Sequence, residues 1–142
     1  MEPRYSFQLP IQVRFNDVDI MGHVSNTVYQ NYYDAGKTLY FDHILPDLDY
    51  FSIGVVGASV KMDYLKPIFM RDEVYVESRV SVLGTKSFTM DHRLIKIKTL
   101  EVMSTCSMVV VCYDVQNKRS REIPEQWRTN ILNHEGDQII IK

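Results

Sequence analysis

Four unusually long extended segments limit the folds open to this chain more than any other feature. They are Gly54–Leu65, Glu73–Leu83, Ser87–Lys98 and Glu101–Asp114. A strand of about twelve residues reaches about 40 Å, twice the length of an ordinary strand of about five or six residues. The connections are short, Pro67–Asp72 being the longest, which makes the segments antiparallel neighbours. With a fifth strand from the N-terminal region, such a sheet must twist and curl.

The side-chain pattern assigns faces to these segments. Val56, Ala58, Val60, Met62 and Tyr64 share one face of the first. In the second, Val74, Val76, Val80 and Val82 oppose Glu73, Glu77 and Arg79. In the third, apolar parity switches between Leu94 and Ile95, which predicts a bulge. The unbroken run Met108–Val111 in the fourth marks burial on both faces or an interface.

One long helix, Thr27–Phe41, is available to fill the concave side. Val28, Tyr32, Ala35 and Leu39, with Tyr29, Gly36 and Tyr40 beside them, fall on one side at helical spacing. Gly36 costs about 1 kcal/mol of helix propensity against Ala, a concession to close packing on the sheet. Four tyrosines (Tyr29, Tyr32, Tyr33, Tyr40) exceed what a core wants, because each buried hydroxyl needs a partner. At least one is expected at a pocket or a subunit boundary. The expected fold is therefore α+β, one domain over residues 1–142, with a long helix wrapped by a curved five-stranded antiparallel sheet.

The stretch before the helix carries the chemistry. Val13–Asp19 reads as a strand spilling into a turn. Asp19 and His23 then precede Ser25 and Asn26, either of which is a good N-cap. A carboxylate and an imidazole beside a helix N-terminus suit acyl transfer. The free amides and partial positive charge there can hold an oxyanion, while the carboxylate attacks a carbonyl or activates water.

Val13-Arg-Phe-Asn-Asp-Val-Asp-Ile-Met-Gly-His-Val-Ser-Asn-Thr-Val-Tyr29 resembles the signature of the hotdog-fold acyl-CoA thioesterases, closest to the 4-hydroxybenzoyl-CoA thioesterase-like family. Asp63–Pro67, Val82–Phe88 and Arg119–Pro124 resemble later family segments, so the likeness runs from about residue 10 to 128. The resemblance implies a hotdog fold and a thioester hydrolase that takes fatty-acyl or aryl CoA to free acid and CoA. It makes the second acid of the Asp-x-Asp pair, Asp19, the base or nucleophile, and Asp17 a structural acid. His23 aligns with the histidine of the His-Val-x-Asn branch. Asn26, Tyr29 and Asp34 become candidate substrate-binding residues. Thr85, Lys86 and Ser87 align with a segment that contacts the nucleotide of CoA. Met21 stands where acyl-ACP thioesterases carry an Asn, and the aryl-CoA branch does without the histidine. The alternatives are an acyl-ACP thioesterase, a hotdog hydratase, or a non-catalytic acyl-CoA-binding subunit.

The same residues set further expectations. Tyr29, Tyr33, Phe51 and Met21 would shape an apolar acyl pocket, and aliphatic acyl chains are favoured over hydroxybenzoyl groups. Lys118, Arg119 and Arg121 form the densest basic cluster. His43, His92 and His134 have no identifiable partners and are taken as structural. No cofactor is expected, because CoA arrives with the substrate. Cys106 and Cys112 are expected as small buried hydrophobes, and no metal-ligand spacing is present. A net charge of −2 argues against a nucleic-acid partner, and no apolar run reaches the roughly 20 residues of a membrane helix. The N-terminus lacks an apolar signal core, so a cytoplasmic location is expected. Long exposed strand edges predict a homodimer or homotetramer.

Overall fold

A computed structural model describes residues 2–45, 48, 49 and 51–142 of the chain. Seven strands and two α-helices are present among them: β1 (Phe7–Ile11), α1 (Asn26–Ile44), β2 (Ile53–Tyr64), β3 (Val74–Leu83), β4 (Ser87–Lys96), β5 (Val102–Asp114), β6 (Arg119–Ser120), α2 (Glu125–Glu135) and β7 (Ile140–Ile141). The order across the sheet is β1-β3-β4-β5-β2, with β6 beside β5 and β7 parallel to β3. The expectation of five antiparallel strands is thus corrected to seven. The two extra strands are two residues each, too short to leave an alternation in the sequence. Of the expected loop Pro46–Asp49, Pro46 and Asp47 lie outside the described residues.

The first strand is not where the sequence pattern puts it. Val13–Asp19 is mostly irregular, with a 3-10 turn at Phe15–Asp17, and β1 lies upstream. Pro10 is tolerated in β1 because, among the described residues, this strand pairs on one side only, with β3. The bulge at Leu94/Ile95 is present in the β4–β5 register. A second bulge, between Val80 and Val82, puts Leu83 rather than Val82 in the core. In β5 the face with Cys106, Met108, Val110 and Cys112 is buried, whereas Val109 and Val111 are half-buried. Burial pushes the Cys106 and Cys112 thiols up to about 12 and about 11, so both remain protonated.

Helix α1 packs on the concave face through Tyr29, Tyr32, Tyr33, Gly36, Tyr40, Phe41 and Ile44. Gly36 permits the closest approach: a Cβ there would meet Ser78 Oγ at 3.0 Å and Val76 Cγ1 at 3.1 Å. Leu39, expected on that face, is exposed. All four helix tyrosines are buried. Tyr33 donates to Ser104 Oγ at 2.7 Å, and Tyr40 to Glu135 Oε2 of α2 at 2.5 Å. Below α1, His92 shares a 2.6 Å hydrogen bond with Ser78. No described helix is long and apolar enough to cross a membrane.

One connection decides where a site can form. Sequence spacing treats Pro67–Asp72 as a hairpin turn, yet β2 and β3 are not neighbours in the sheet. The segment after Tyr64 must therefore cross the ends of β5 and β4, and it does so under the start of α1. Val24 N–H donates to Ile68 O at 2.8 Å, and His23 bridges to Phe69. Ile68 is fully buried there.

Candidate active site

The loop ahead of α1 is a miniature hairpin. Val18 bridges to Val24, Asp19 N–H donates to His23 O at 2.8 Å, and Gly22 N–H donates to Asp19 O at 2.9 Å. The tip needs a left-handed residue, and Gly22 supplies it with φ of 80°. Asp19 Oδ1 accepts Met21 N–H at 2.9 Å and His23 N–H at 3.2 Å. Among the described residues no donor engages its Oδ2. The carboxylate is therefore held in one orientation while half of it stays available. The His23 ring packs edge-on against Phe69, with centroids 4.9 Å apart.

Helix α1 opens at Ser25, which is the N-cap by backbone geometry although its hydroxyl makes no capping bond. Ser25 N–H donates to Asp17 O, and Val28 N–H donates to Ser25 O, each at 2.9 Å. Among the described residues the amides of Asn26 and Thr27 meet no protein acceptor. Both residues are exposed. Two unfilled donors at the positive end of a 19-residue helix are suited to an anionic oxygen.

These parts border one cleft of about 200 Å³, lined by Asp19, His23, Val24, Asn26 and Tyr29 on one side and Tyr64–Pro67 on the other. Tyr29 and Tyr64 meet edge to face at 4.9 Å, and Tyr64 Oη reaches the Asn26 carbonyl at 3.3 Å. Burial raises the Tyr29 pKa, so its hydroxyl remains protonated. Lys66 lines the cleft and pairs with Glu101.

Four of the expected site residues, Asp19, His23, Asn26 and Tyr29, thus come together. Asp34 does not join them. It accepts from Gln30 at 3.1 Å and pairs with Lys37 at 3.7 Å farther along the helix. Thr85, Lys86 and Ser87 lie in the β3–β4 turn at the opposite end of the sheet. Ser104 pairs with both Tyr64 and Leu94, and Leu94 is seven residues along β4 from Ser87. The separation is about 23 Å. Of the basic cluster, Arg121 comes near that turn, joined there by Arg128: Arg121 N–H donates to Cys112 O, Cys112 N–H donates to Lys86 O, and Arg128 donates to Gly84 O at 2.8 Å.

The acyl-pocket expectation needs correcting. Tyr33 points into the core toward Ser104, Phe51 and Met21 are exposed, and only Tyr29 of that set lines the cleft. Tyr64, Leu65, Lys66 and Pro67 take their place. The sequence signal for them was the break in the strand at Pro67, whose missing N–H ends regular pairing. Among the described residues no three His, Cys, Asp or Glu side chains converge as a metal would require.

Known proteins resemble this chain over most of its length. Residues 13–131 match the profile of the Thioesterase-like superfamily. A thioesterase from Thermus thermophilus, solved with coenzyme A and Zn, is 33% identical, with a TM-score of 0.81 over 93% of this chain and 96% of that one. A thioesterase-superfamily structure from Jannaschia sp. CCS1 is 28% identical, with a TM-score of 0.85 over 96% of this chain and 86% of that one. The YsmA protein of Bacillus subtilis (strain 168) is 26% identical over 88 residues, 62% of this chain. The match spans 60% of that relative's length.

Proposed function

The chain belongs to the thioesterase-like superfamily, with the hotdog fold, and from that premise we propose that it hydrolyses acyl-CoA thioesters to free acid and CoA. The observation that carries this reading is the shared cleft: a carboxylate fixed by two amides beside the opening residue of the helix, Asn26, whose amide is unfilled among the described residues. The acyl carbonyl carbon would lie against Asp19 and its oxygen against the Asn26 and Thr27 N–H groups. Each such donor is worth roughly 3 kcal/mol of barrier.

Two routes fit the geometry. In one, Asp19 attacks the carbonyl carbon, the C–S bond breaks, CoA leaves as thiolate and takes a proton, and water hydrolyses the mixed anhydride. In the other, Asp19 removes a proton from water as the water attacks, and the thiolate leaves from the tetrahedral intermediate. His23 polarises the carbonyl or orients the water. Hydrolysis in heavy-oxygen water under single turnover, paired with hydroxylamine trapping, separates the routes. Label in the Asp19 carboxylate, or a hydroxamate at Asp19, marks the anhydride, whereas label confined to the product acid with no trapped Asp19 marks the water route.

CoA also needs cations for its phosphates, and in a single chain Lys86, Arg121 and Arg128 are at the wrong end of the sheet. A homodimer resolves this. β2 is an edge strand of twelve residues with Val56, Val60 and Tyr64 exposed. Two-fold antiparallel pairing of β2 with a second copy would set the Tyr64 end of one chain beside the Ile53 end of the other, where the Lys86 turn lies. The thioester would then sit at Asp19 and the phosphates on the other copy. Val24, Leu65 and the Tyr29–Tyr64 pair give the acyl side an apolar, aromatic lining, and we favour aliphatic chains.

The test is thiol release from a panel of short, medium, long and aromatic acyl-CoAs. Turnover of aliphatic CoA esters well above the uncatalysed rate is expected. Turnover of acyl-ACP alone would move the assignment to that carrier, and no hydrolysis of either would refute it. Light scattering showing a stable 16.6 kDa monomer at micromolar concentration would remove the shared site.

A further inference from the structure

Asp17 is the residue whose placement the proposed chemistry does not use. Its side chain is almost wholly buried at 4% exposure, a costly place for a carboxylate. Its only cation among the described residues, Arg14, is exposed and 3.6 Å away. Oδ2 accepts two hydrogen bonds, from Arg14 N–H at 2.9 Å and from Tyr32 Oη at 2.7 Å. The Asp17 carbonyl accepts Ser25 N–H at 2.9 Å, closing the base of the hairpin that carries Asp19 and His23. An acid that merely shaped a turn would need neither burial nor a partner from the helix.

The hairpin is internally tied, so the question is what fixes it against α1. The chain itself passes through Ser25, which is extended (φ −64°, ψ 142°) and without a side-chain cap bond. One flexible link leaves an angle free. Ile68 and Phe69 tie the hairpin to the crossover segment, which links it to the helix indirectly, through Tyr64 and the Asn26 carbonyl. Tyr32 is the seventh residue of α1, about 9 Å along the axis from its start. A bond from there to Asp17 is a second attachment point, and two points define an angle.

We propose that the buried Asp17–Tyr32 hydrogen bond is the positioning element of this site, setting the hairpin that bears Asp19 and His23 at a fixed angle to the helix amides that receive the oxyanion. The inference rests on the proposed thioesterase chemistry. Tyr32 and Asp17 touch no reacting atom and act through the hairpin. A shift of about 1 Å between nucleophile and oxyanion donors is enough to cost about a hundredfold in rate. Their loss should therefore appear in kcat rather than in KM.

The experiment is a double-mutant cycle on kcat with Tyr32→Phe and Asp17→Ala, using the full chain and an acyl-CoA substrate. Tyr32→Phe is expected to lower kcat by about 10- to 100-fold with KM within twofold. The double variant should be no worse than the poorer single variant, because either substitution alone already removes the Asp17–Tyr32 bond. Asp17→Asn keeps an acceptor for Tyr32 and should restore most of kcat. Amide exchange at Ser25, whose N–H is held by Asp17, should quicken at least tenfold in Tyr32→Phe, a readout independent of activity. A folded Tyr32→Phe protein with wild-type kcat and unchanged Ser25 exchange would overturn the proposal, as would additive losses in the cycle. Should Asp17→Ala fail to fold, Tyr32→Phe alone decides by the same kcat and exchange criteria. Asp19→Asn runs alongside: if it retains turnover, the catalytic assignment fails, and Ser25 exchange still reports on the bond.

Discussion

Replacing Asp19 by Asn removes charge and nucleophilicity while keeping shape. The Asn carbonyl oxygen can still accept the Met21 and His23 amides now held at 2.9 and 3.2 Å. The turn therefore survives, and folding stability should change by less than about 1 kcal/mol. What disappears is the oxygen that, in the proposed reaction, attacks or takes a proton. Loss of such a group costs roughly 10²- to 10⁴-fold, or about 3 to 5 kcal/mol of barrier. Activity above the uncatalysed rate should remain, because the Asn26 and Thr27 amides are untouched. The assay is thiol release for kcat and KM, with urea unfolding followed by circular dichroism on the same preparations. KM should move little if the carboxylate acts in the transition state alone. A folded Asp19→Asn enzyme within about fivefold of wild-type turnover would refute both routes. Asp17→Asn, which keeps its acceptor geometry, should be far milder in the same assay.

Other residues give sharper tests of neighbouring claims. Lys86→Glu should raise KM for acyl-CoA about tenfold or more, while leaving hydrolysis of an acyl-pantetheine thioester, which lacks the nucleotide, unchanged. Equal losses on both would remove the turn from CoA recognition. Glu135→Ala strips the acceptor from Tyr40, Ser6 and the Val80 amide, all now bonded to Oε2. Leaving these groups unpaired should cost about 3 kcal/mol or more in urea unfolding, and a loss under about 1 kcal/mol would show that the site relaxes. Burial holds the His92 pKa down from 6.5 to about 3. Between those values the unfolded chain binds a proton that the folded chain refuses, so this group's contribution makes stability rise with pH and fall as the solution is acidified. From about pH 6.5 to about pH 4 the loss is at most about 3 kcal/mol, and His92→Gln should lack that part of the slope in urea midpoints.

How much of this was legible in the sequence depends on whether a signal was local. The helix face, the Gly36 contact and the Leu94/Ile95 bulge were visible because each breaks or keeps a period within a few residues. The Val80/Val82 bulge was not, since Val80, Val82 and Leu83 are all apolar and mask a change of parity. β1 was masked by Pro10, which argues against a strand, and Asn16-Asp17 inside an otherwise alternating stretch is the mark of the 3-10 turn. Helix α2 did carry a signal, Trp127, Ile131 and Glu135 at four-residue spacing after Pro124, but its buried face ends in an acid rather than an apolar residue. The hairpin wall of the candidate site was readable because Asp19, His23 and Asn26 are close in sequence and meet through one small hairpin. The other wall was not, because alternation gives strand positions and never strand order. Only when β2 and β3 are seen on opposite sides of β4 and β5 does Tyr64–Pro67 have to pass beneath the helix start. The same topology separates Lys86 from Asp19 within one chain, which is why the proposed phosphate site calls on a second copy.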